Sequence, residues 1–419
     1  MEFFRKFFEG FSGKNVVMGL QHTFVMFGAT ILVPLLTGLD IGVTLFAAGV
    51  GTIIFHILTK FEVPVFLGSS FAFIPPITAI ATMEGGSLSM ALGGIAVAGA
   101  LYIVVAIIFT FVDVRFFHSI LPPQVTGPII ILIGLMLAPV AIGDASGNWW
   151  IAGFTFVLGV FIKLFFQKRA PFLASLPVLL ALVGGYLVAI LAGMVDFTPV
   201  IEARWIDFPS FTTPSFSWSA ISIAVPVALV TIIEHFGDVL AIGNVVQKDF
   251  FKEPGVNRTL LGDGIATSIS ALIGGPANTT YSENTGAVAL TGNKNPLVMR
   301  IAAIFAILIS FIPKFTQVVA TIPKPVIGGI SILLFGMIAS IGIKNVVDAR
   351  LDLGNPKHLI VSSAILVLGL GNAEFALGPI QLQGLGLAAL VGIVLNVVLN
   401  FKTLGRQTEE AGAPPEANQ

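Results

Sequence analysis

Apolar stretches long enough to cross a bilayer occupy almost the whole chain, and no other feature restricts its fold as much. Clear ones run near 14–36, 41–60, 89–112, 118–142, 149–167, 172–194, 218–242, 296–313, 325–343 and 381–402. Weaker stretches, interrupted by Gly or polar residues, lie near 67–82, 257–274, 277–291 and 358–371. A helix crosses the hydrocarbon core in about 20 residues, so these runs predict an all-α polytopic membrane protein with about fourteen segments. Only 10% of the residues are charged, against about 25% in a soluble domain. Too few charges remain to cover a globule of 419 residues with water, so lipid must be part of the solvent.

The same scarcity excludes whole function classes. The formal net charge is −1 and no basic stripe exists to neutralise phosphates, so nucleic acid is not a partner. Cysteine is absent, which removes disulfides, thiolate metal sites and cysteine nucleophiles. Glu234-His235-x-x-Asp238 is not the zinc pattern H-E-x-x-H, and no Walker A segment is present, so neither a metal nor any other cofactor is expected and ATP does not drive the protein.

Orientation follows from the basic residues. With the N-terminus inside, alternate loops hold Lys60, Arg115, Lys168, Arg169, Lys248, Lys252, Arg258, Lys294, Lys344, Arg350, Lys357, Lys402 and Arg406, and the opposite loops hold Arg204, Lys314 and Lys324. That segregation favours an even number of crossings and cytoplasmic termini. Residues 1–13, with Phe3, Phe4, Phe7, Phe8 and Phe11 at helical spacing, read as an interfacial amphipathic helix. Residues 196–217 read as a long external linker, and 404–419, with Pro414-Pro415, as a disordered tail.

A faint internal repeat sits where it matters. Leu121-Pro122-Pro123-Gln124-Val125-Thr126-Gly127-Pro128-Ile129 resembles Ile322-Pro323-Lys324-Pro325-Val326-Ile327-Gly328-Gly329-Ile330, half a chain later. A similar offset relates Ser69–Pro76 to Asn278–Gly286. Seven segments per half, an odd number, would insert the second copy upside down. Tandem Pro in one broken segment and polar β-formers in the other predict non-helical chain. Such chain is tolerated at membrane depth only when buried in protein or lining a wet cavity. Two short extended pieces that pair, each leading into a half-helix, would aim free N–H groups and positive dipole ends at a polar ligand.

Few ionisable groups lie between the apolar runs. Glu234 and Asp238 are spaced i, i+4, on one helix face, and Glu283 lies inside the second broken segment. Intramembrane carboxyls mark ion or substrate pathways and are suited to exchanging a proton. His22 has two readings, substrate contact or a bond between helices, and His235 is read as structural. Asp263 has two readings, a helix cap, which is preferred, or an aid to coupling. His56 and His118, near segment ends, carry little signal. Phe71 and Phe73 flank the first break and Tyr281 precedes Glu283 in the second, and flat heterocycles stack on such rings at about 1–3 kcal/mol per base.

These residues resemble the nucleobase–ascorbate transporter family, within it the bacterial uracil, xanthine and purine permeases. The resemblance covers nearly the whole chain. It rests on Gln21-His22 with Phe27-Gly28-Ala29-Thr30, Gly68-Ser69-Ser70-Phe71-Ala72-Phe73, Glu234-His235-x-Gly237, and Asn278-Thr279-Thr280-Tyr281-Ser282-Glu283-Asn284-x-Gly286. The resemblance implies two inverted seven-segment repeats, with two short antiparallel strands in segments 3 and 10. It implies a core domain (14–112 and 218–320), a gate domain (113–195 and 321–403), and a homodimer formed through the gates. It further implies that Glu234 and Glu283 hydrogen-bond the base, that Phe71 and Tyr281 wall the pocket, and that Ala29 and Ser282 lie close to the ring, with His22, Phe335 and Asn284 in support. Asp238 stands where uracil permeases carry His, Ser282 where they carry Gly, and Phe335 where they carry Tyr. Those departures lean towards a purine such as xanthine, guanine or hypoxanthine, with uracil next, and keep a titratable group at Asp238 for proton coupling alongside Glu234 and Glu283.

The expectation is therefore a proton-coupled nucleobase importer of the bacterial inner membrane, working by alternating access. Sodium coupling, an anion exchanger with a cation such as Arg300 at the half-helix ends, and a membrane-embedded enzyme acting on a heterocycle are the rival readings.

Overall fold

The computed structural model describes residues 2–111, 122–378 and 380–412; Arg115 and His118 lie outside them, as do residues 413–419 of the expected tail. Fifteen helices carry the architecture: α1 Gly13–Thr37, α2 Ile41–Leu58, α3 Ile74–Thr82, α4 Leu88–Ile108, α5 Pro123–Ser146, α6 Trp149–Arg169, α7 Pro177–Leu191, α8 Trp218–Val246, α9 Val256–Leu272, α10 Ser282–Thr291, α11 Leu297–Ser310, α12 Pro313–Ala320, α13 Lys324–Asp348, α14 Pro356–Leu370 and α15 Gly384–Gly412. Among the described residues, seven helices are long and apolar enough to span a membrane, and an eighth span arises if α11 and α12, bent by 87°, count as one.

Local chemistry sets the helix ends. Ser12, Asp40, Ser87 and Ser217 accept a backbone N–H of the first turn of α1, α2, α4 and α8, which satisfies one of the otherwise free donors there. Gly38, at φ 80°, closes α1 in the left-handed conformation that glycine tolerates. Small residues let backbones approach, as membrane helices require. α4 and α9 cross at Gly99 and Gly264, where a Cβ on either would press on the carbonyl of the other.

Three expectations change. The N-terminal helix is Glu2–Phe7 rather than 1–13, because Gly10 takes φ 80° and Ser12 starts a new helix. The tandem prolines 75 and 76 fall in the first turn of α3, where a missing N–H removes no helical bond. α15 continues to Gly412, past the start of the expected tail, since an existing helix propagates readily through Leu, Arg, Gln and Glu.

The helices pack in two sets. α4 packs on α8 and α9, α2 on α9 and α11, and α1 on α11; α13 packs on α5 and α6, α6 on α7, and α14 on α5 and α15. The linker 196–217 is held at several points, among them Ser215 N–H on Ser89 O and the Lys314 ammonium on Val200 O at 2.9 Å.

Between α2 and α9 lies a two-stranded antiparallel ribbon, β1 Leu67–Ser69 and β2 Asn278–Thr280, with Leu67 opposite Thr280 and Ser69 opposite Asn278. Every residue of it is buried, so its outer edges need partners. One threonine serves each edge. Thr52 of α2 donates to Leu67 O at 3.2 Å and accepts Leu67 N–H at 2.9 Å. Thr267 of α9 donates to Asn278 O at 3.0 Å and accepts Asn278 N–H at 3.2 Å. A second ribbon, β3 Glu374–Leu377 with β4 Ile380–Gln383, is surface-lying.

Candidate functional site

A cavity of about 910 Å³ runs along the second half of α8 from Ile233 and on to Asp249 beyond the helix end, beside the β1–β2 ribbon. Phe71, Glu234, Asp238, Thr280, Ser282 and Glu283 line it, among apolar walls that include Ile130, Ile338 and Ile341. That is the size and character of a small-molecule site, apolar walls with a few converging polar groups.

Helical periodicity brings Glu234 and Asp238 to this one wall. Asp238 is 8% exposed and is held by two hydroxyls: Thr280 Oγ1 donates to its Oδ2 at 2.8 Å and Ser282 Oγ to its Oδ1 at 2.6 Å. Glu234 and Glu283 are half-buried, which leaves both reachable by a ligand. Glu283 lies in the first turn of α10, whose N-cap Tyr281 is extended at φ −99°, ψ 115° and offers no side-chain cap. The Glu283 carboxyl takes up its own backbone N–H at this helix start, where the dipole end favours a carboxylate. The chemistry available is planar: carboxyls accept ring N–H groups, and backbone N–H groups donate to ring carbonyls.

The other predicted residues divide. Phe71 lines the cavity, with Phe335 behind it at a ring separation of 6.2 Å and 73°. Tyr281 contributes to the lining, but its hydroxyl is turned into the protein, donating to Ser69 O at 3.1 Å and lying 3.3 Å from Thr30 Oγ1; its ring packs over Gly68. Ala29 lies in a neighbouring cavity of about 160 Å³ that also reaches Ser282 and Glu283. His22 and Asn284 bond each other, with Asn284 Nδ2 at 3.1 Å from His22 Nδ1 and 3.2 Å from His22 O, tying α10 to α1. Of the two readings of His22, the bond between helices is the one observed.

Asp263 does not cap a helix. It sits in the middle of α9, fully buried, with Oδ2 at 3.0 Å from His235 Nδ1, and His235 Nε2 meets Thr259 Oγ1 at 3.0 Å. The flanking glycines 262 and 264 serve packing against Phe55 and Tyr102, not a chain break. Arg300 is also away from the site: buried, its Nε donates to Phe7 O at 3.0 Å and its guanidinium lies 5.0 Å over the Phe61 ring. Two neighbours of the site carboxyls differ in how legible they are in the sequence. Thr280 carries no signal beyond strand propensity. Lys163, beside Glu283 in the smaller cavity, is an isolated charge in an apolar run, which is a signal. At the far end of the large cavity, Asp249 lies in the loop after α8, where hydrogen bonding and the charge of Lys252, 3.2 Å away, hold its carboxyl below the usual range.

The Permease family model matches residues 13–377. This chain belongs to the nucleobase–ascorbate transporter family. It is 42% identical over 400 residues to the uracil permease of Bacillus caldolyticus, covering 92% of each chain. It is 39% identical to the uracil permease of Bacillus subtilis, again covering 92% of each, and 36% identical to that of Escherichia coli K12, covering 94% of each. Among solved structures, the fold is similar to the transmembrane domain of the cyanobacterial bicarbonate transporter BicA, with TM-score 0.59 at 16% identity over 92% of this chain and 97% of that one. It is also similar to murine Solute Carrier 26 family member A9 in the inward-facing state, with TM-score 0.68 at 13% identity over 94% of this chain and 69% of that one. The protein is a multi-pass membrane permease and not an enzyme.

Proposed function

We propose that this permease imports a nucleobase with a proton across the bacterial cytoplasmic membrane. The observation that carries the reading is the convergence of Glu234, Asp238 and Glu283 on one cavity beside the buried ribbon. Three carboxyls in one membrane-depth cavity fit a ligand rich in N–H donors, and they fit ion coupling. Glu234 and Glu283 hold the base, Phe71 supplies an apolar wall, Ser282 braces the site, and Asp238 carries the coupled proton with the glutamates as its exchange partners.

Uracil is placed first among substrates, because the three relatives described above are named uracil permeases. The purine reading rests on Asp238, Ser282 and Phe335. It is weakened by the hydroxyl of Ser282 pointing to Asp238 and by Phe335 lying behind Phe71. In this reading the chain makes fourteen crossings in two inverted halves, with β1 and β2 in the third and tenth and both termini cytoplasmic. The set α1–α4 with α8–α12 is the core and α5–α7 with α13–α15 the gate, and gate surfaces pair two copies. The large cavity, extending to the loop at Asp249, faces the cytoplasm. Moving the core against the gate exposes the site to the other side. Each proton brought in contributes about 2.3 kcal/mol per 100 mV of membrane potential.

A competition panel of uracil, xanthine, guanine, hypoxanthine and adenine against labelled uracil on purified protein tests the substrate. Uracil displacing the label tenfold better than any purine is the expected outcome; a purine winning by that margin reverses the assignment. Uptake in sodium-free buffer at several pH values separates proton from sodium coupling.

A further inference from the structure

Lys163 stands inside Val160-Phe161-Ile162-Lys163-Leu164-Phe165-Phe166 of α6. An ammonium in such a run needs either the interface or a counter-charge. Lys163 and Glu283 are the two ionisable residues lining the smaller cavity, in walls formed by groups such as Ala29, Leu176, Val178 and Met337. Among the described residues no ion pair joins them. They approach from different helix sets, since α6 packs on α7 and α13 whereas α10 packs on α1 and α8. Glu283 alone of the carboxyls lines both cavities, so whatever occupies it in the larger one is felt by Lys163 in the smaller.

We infer that Lys163 is a positioning residue for the empty carrier, moving onto Glu283 once the base has left and releasing it when the base returns. A bare carboxylate carried through a low-dielectric site is opposed by several kcal/mol unless a partner replaces the lost one. The base provides that partner on the inward trip. On the return trip the four-carbon stem of Lys163 delivers an ammonium to the same carboxylate, which lets the unloaded site close. The inference rests on the nucleobase reading above and assigns to this side chain a step that base recognition does not require.

The test compares Lys163→Met and Lys163→Arg with the unsubstituted protein in proteoliposomes, using labelled uracil. Base binding and base-for-base exchange, in which the carrier is loaded in both directions, stay within about twofold in Lys163→Met, whereas net uptake into base-free vesicles, which needs the empty carrier to return, falls at least about tenfold. Lys163→Arg restores most of the net uptake. Lys163→Gln is read in the same way if the Met variant does not purify as a folded protein. Exchange and net uptake falling together would indicate a structural role and overturn the inference, as would net uptake left unchanged. Unsubstituted protein that binds no nucleobase sinks the underlying reading as well, an outcome distinct from both.

Discussion

The Ser282 hydroxyl donates a 2.6 Å hydrogen bond to Oδ1 of Asp238. With Thr280 on Oδ2 at 2.8 Å, the carboxyl of α8 is fixed to the chain that links β2 with α10. Asp238→Asn keeps the size and one acceptor but removes the titratable group. The expected outcome is a folded protein whose uptake driven by an imposed pH gradient falls at least about tenfold, with exchange retained. Gradient-driven uptake at the unsubstituted rate would remove Asp238 from the proton path.

Glu234→Gln and Glu283→Gln each replace an anionic acceptor with an amide of the same shape. Hydrogen bonds to charged groups contribute about 1.5–3 kcal/mol, so the dissociation constant for the base should rise about tenfold to a hundredfold in each variant. Isothermal titration calorimetry on purified protein measures it. A change below about twofold in either would take that residue out of the binding site.

Thr52→Val and Thr267→Val remove the hydroxyls that serve the two edges of the ribbon. Each leaves a buried N–H and C=O without that partner, a loss of about 1–3 kcal/mol per group. Thermal melting in detergent should fall by similar amounts for the two variants, and an unchanged midpoint for either would show that its edge is satisfied some other way.

Gly68→Ala forces a methyl group into the Tyr281 ring, whereas Tyr281→Phe removes only the hydroxyl that bonds Ser69. The first should abolish transport or expression. The second should reduce stability by about 1 kcal/mol and leave base affinity within a few-fold. Loss of binding in Tyr281→Phe would mean that the hydroxyl faces the ligand.

Much of this was legible in the sequence, because lipid leaves the backbone few choices. Asn278–Tyr281 marked where helix had to give way, and β2 lies there, whereas Pro75-Pro76, expected in non-helical chain, sit in the first turn of α3. The i, i+4 carboxyls of Glu234 and Asp238 fell on one wall for the same geometric reason. What stayed hidden depended on partners distant in sequence. Gly262-Asp263-Gly264 reads locally as a break, yet packing against Phe55, Tyr102 and His235 makes it mid-helix. Tyr281 reads as a pocket aromatic until Ser69 and Thr30 claim its hydroxyl. Lys163 gains meaning only when α6 and α10 are seen to line one cavity.

The pairing of Ser69 with Asn278 also bears on how the polypeptide is made. A ribosome delivers Leu67–Ser69 to the translocon long before Asn278–Thr280 exists, and Thr52 can meet only one edge of the nascent strand. The other edge stays hydrated, or shielded by the insertion machinery, until the second half arrives. Closure of this part of the fold therefore waits for the ribbon, and a product truncated before Asn278 should be recognised by membrane quality control as incomplete.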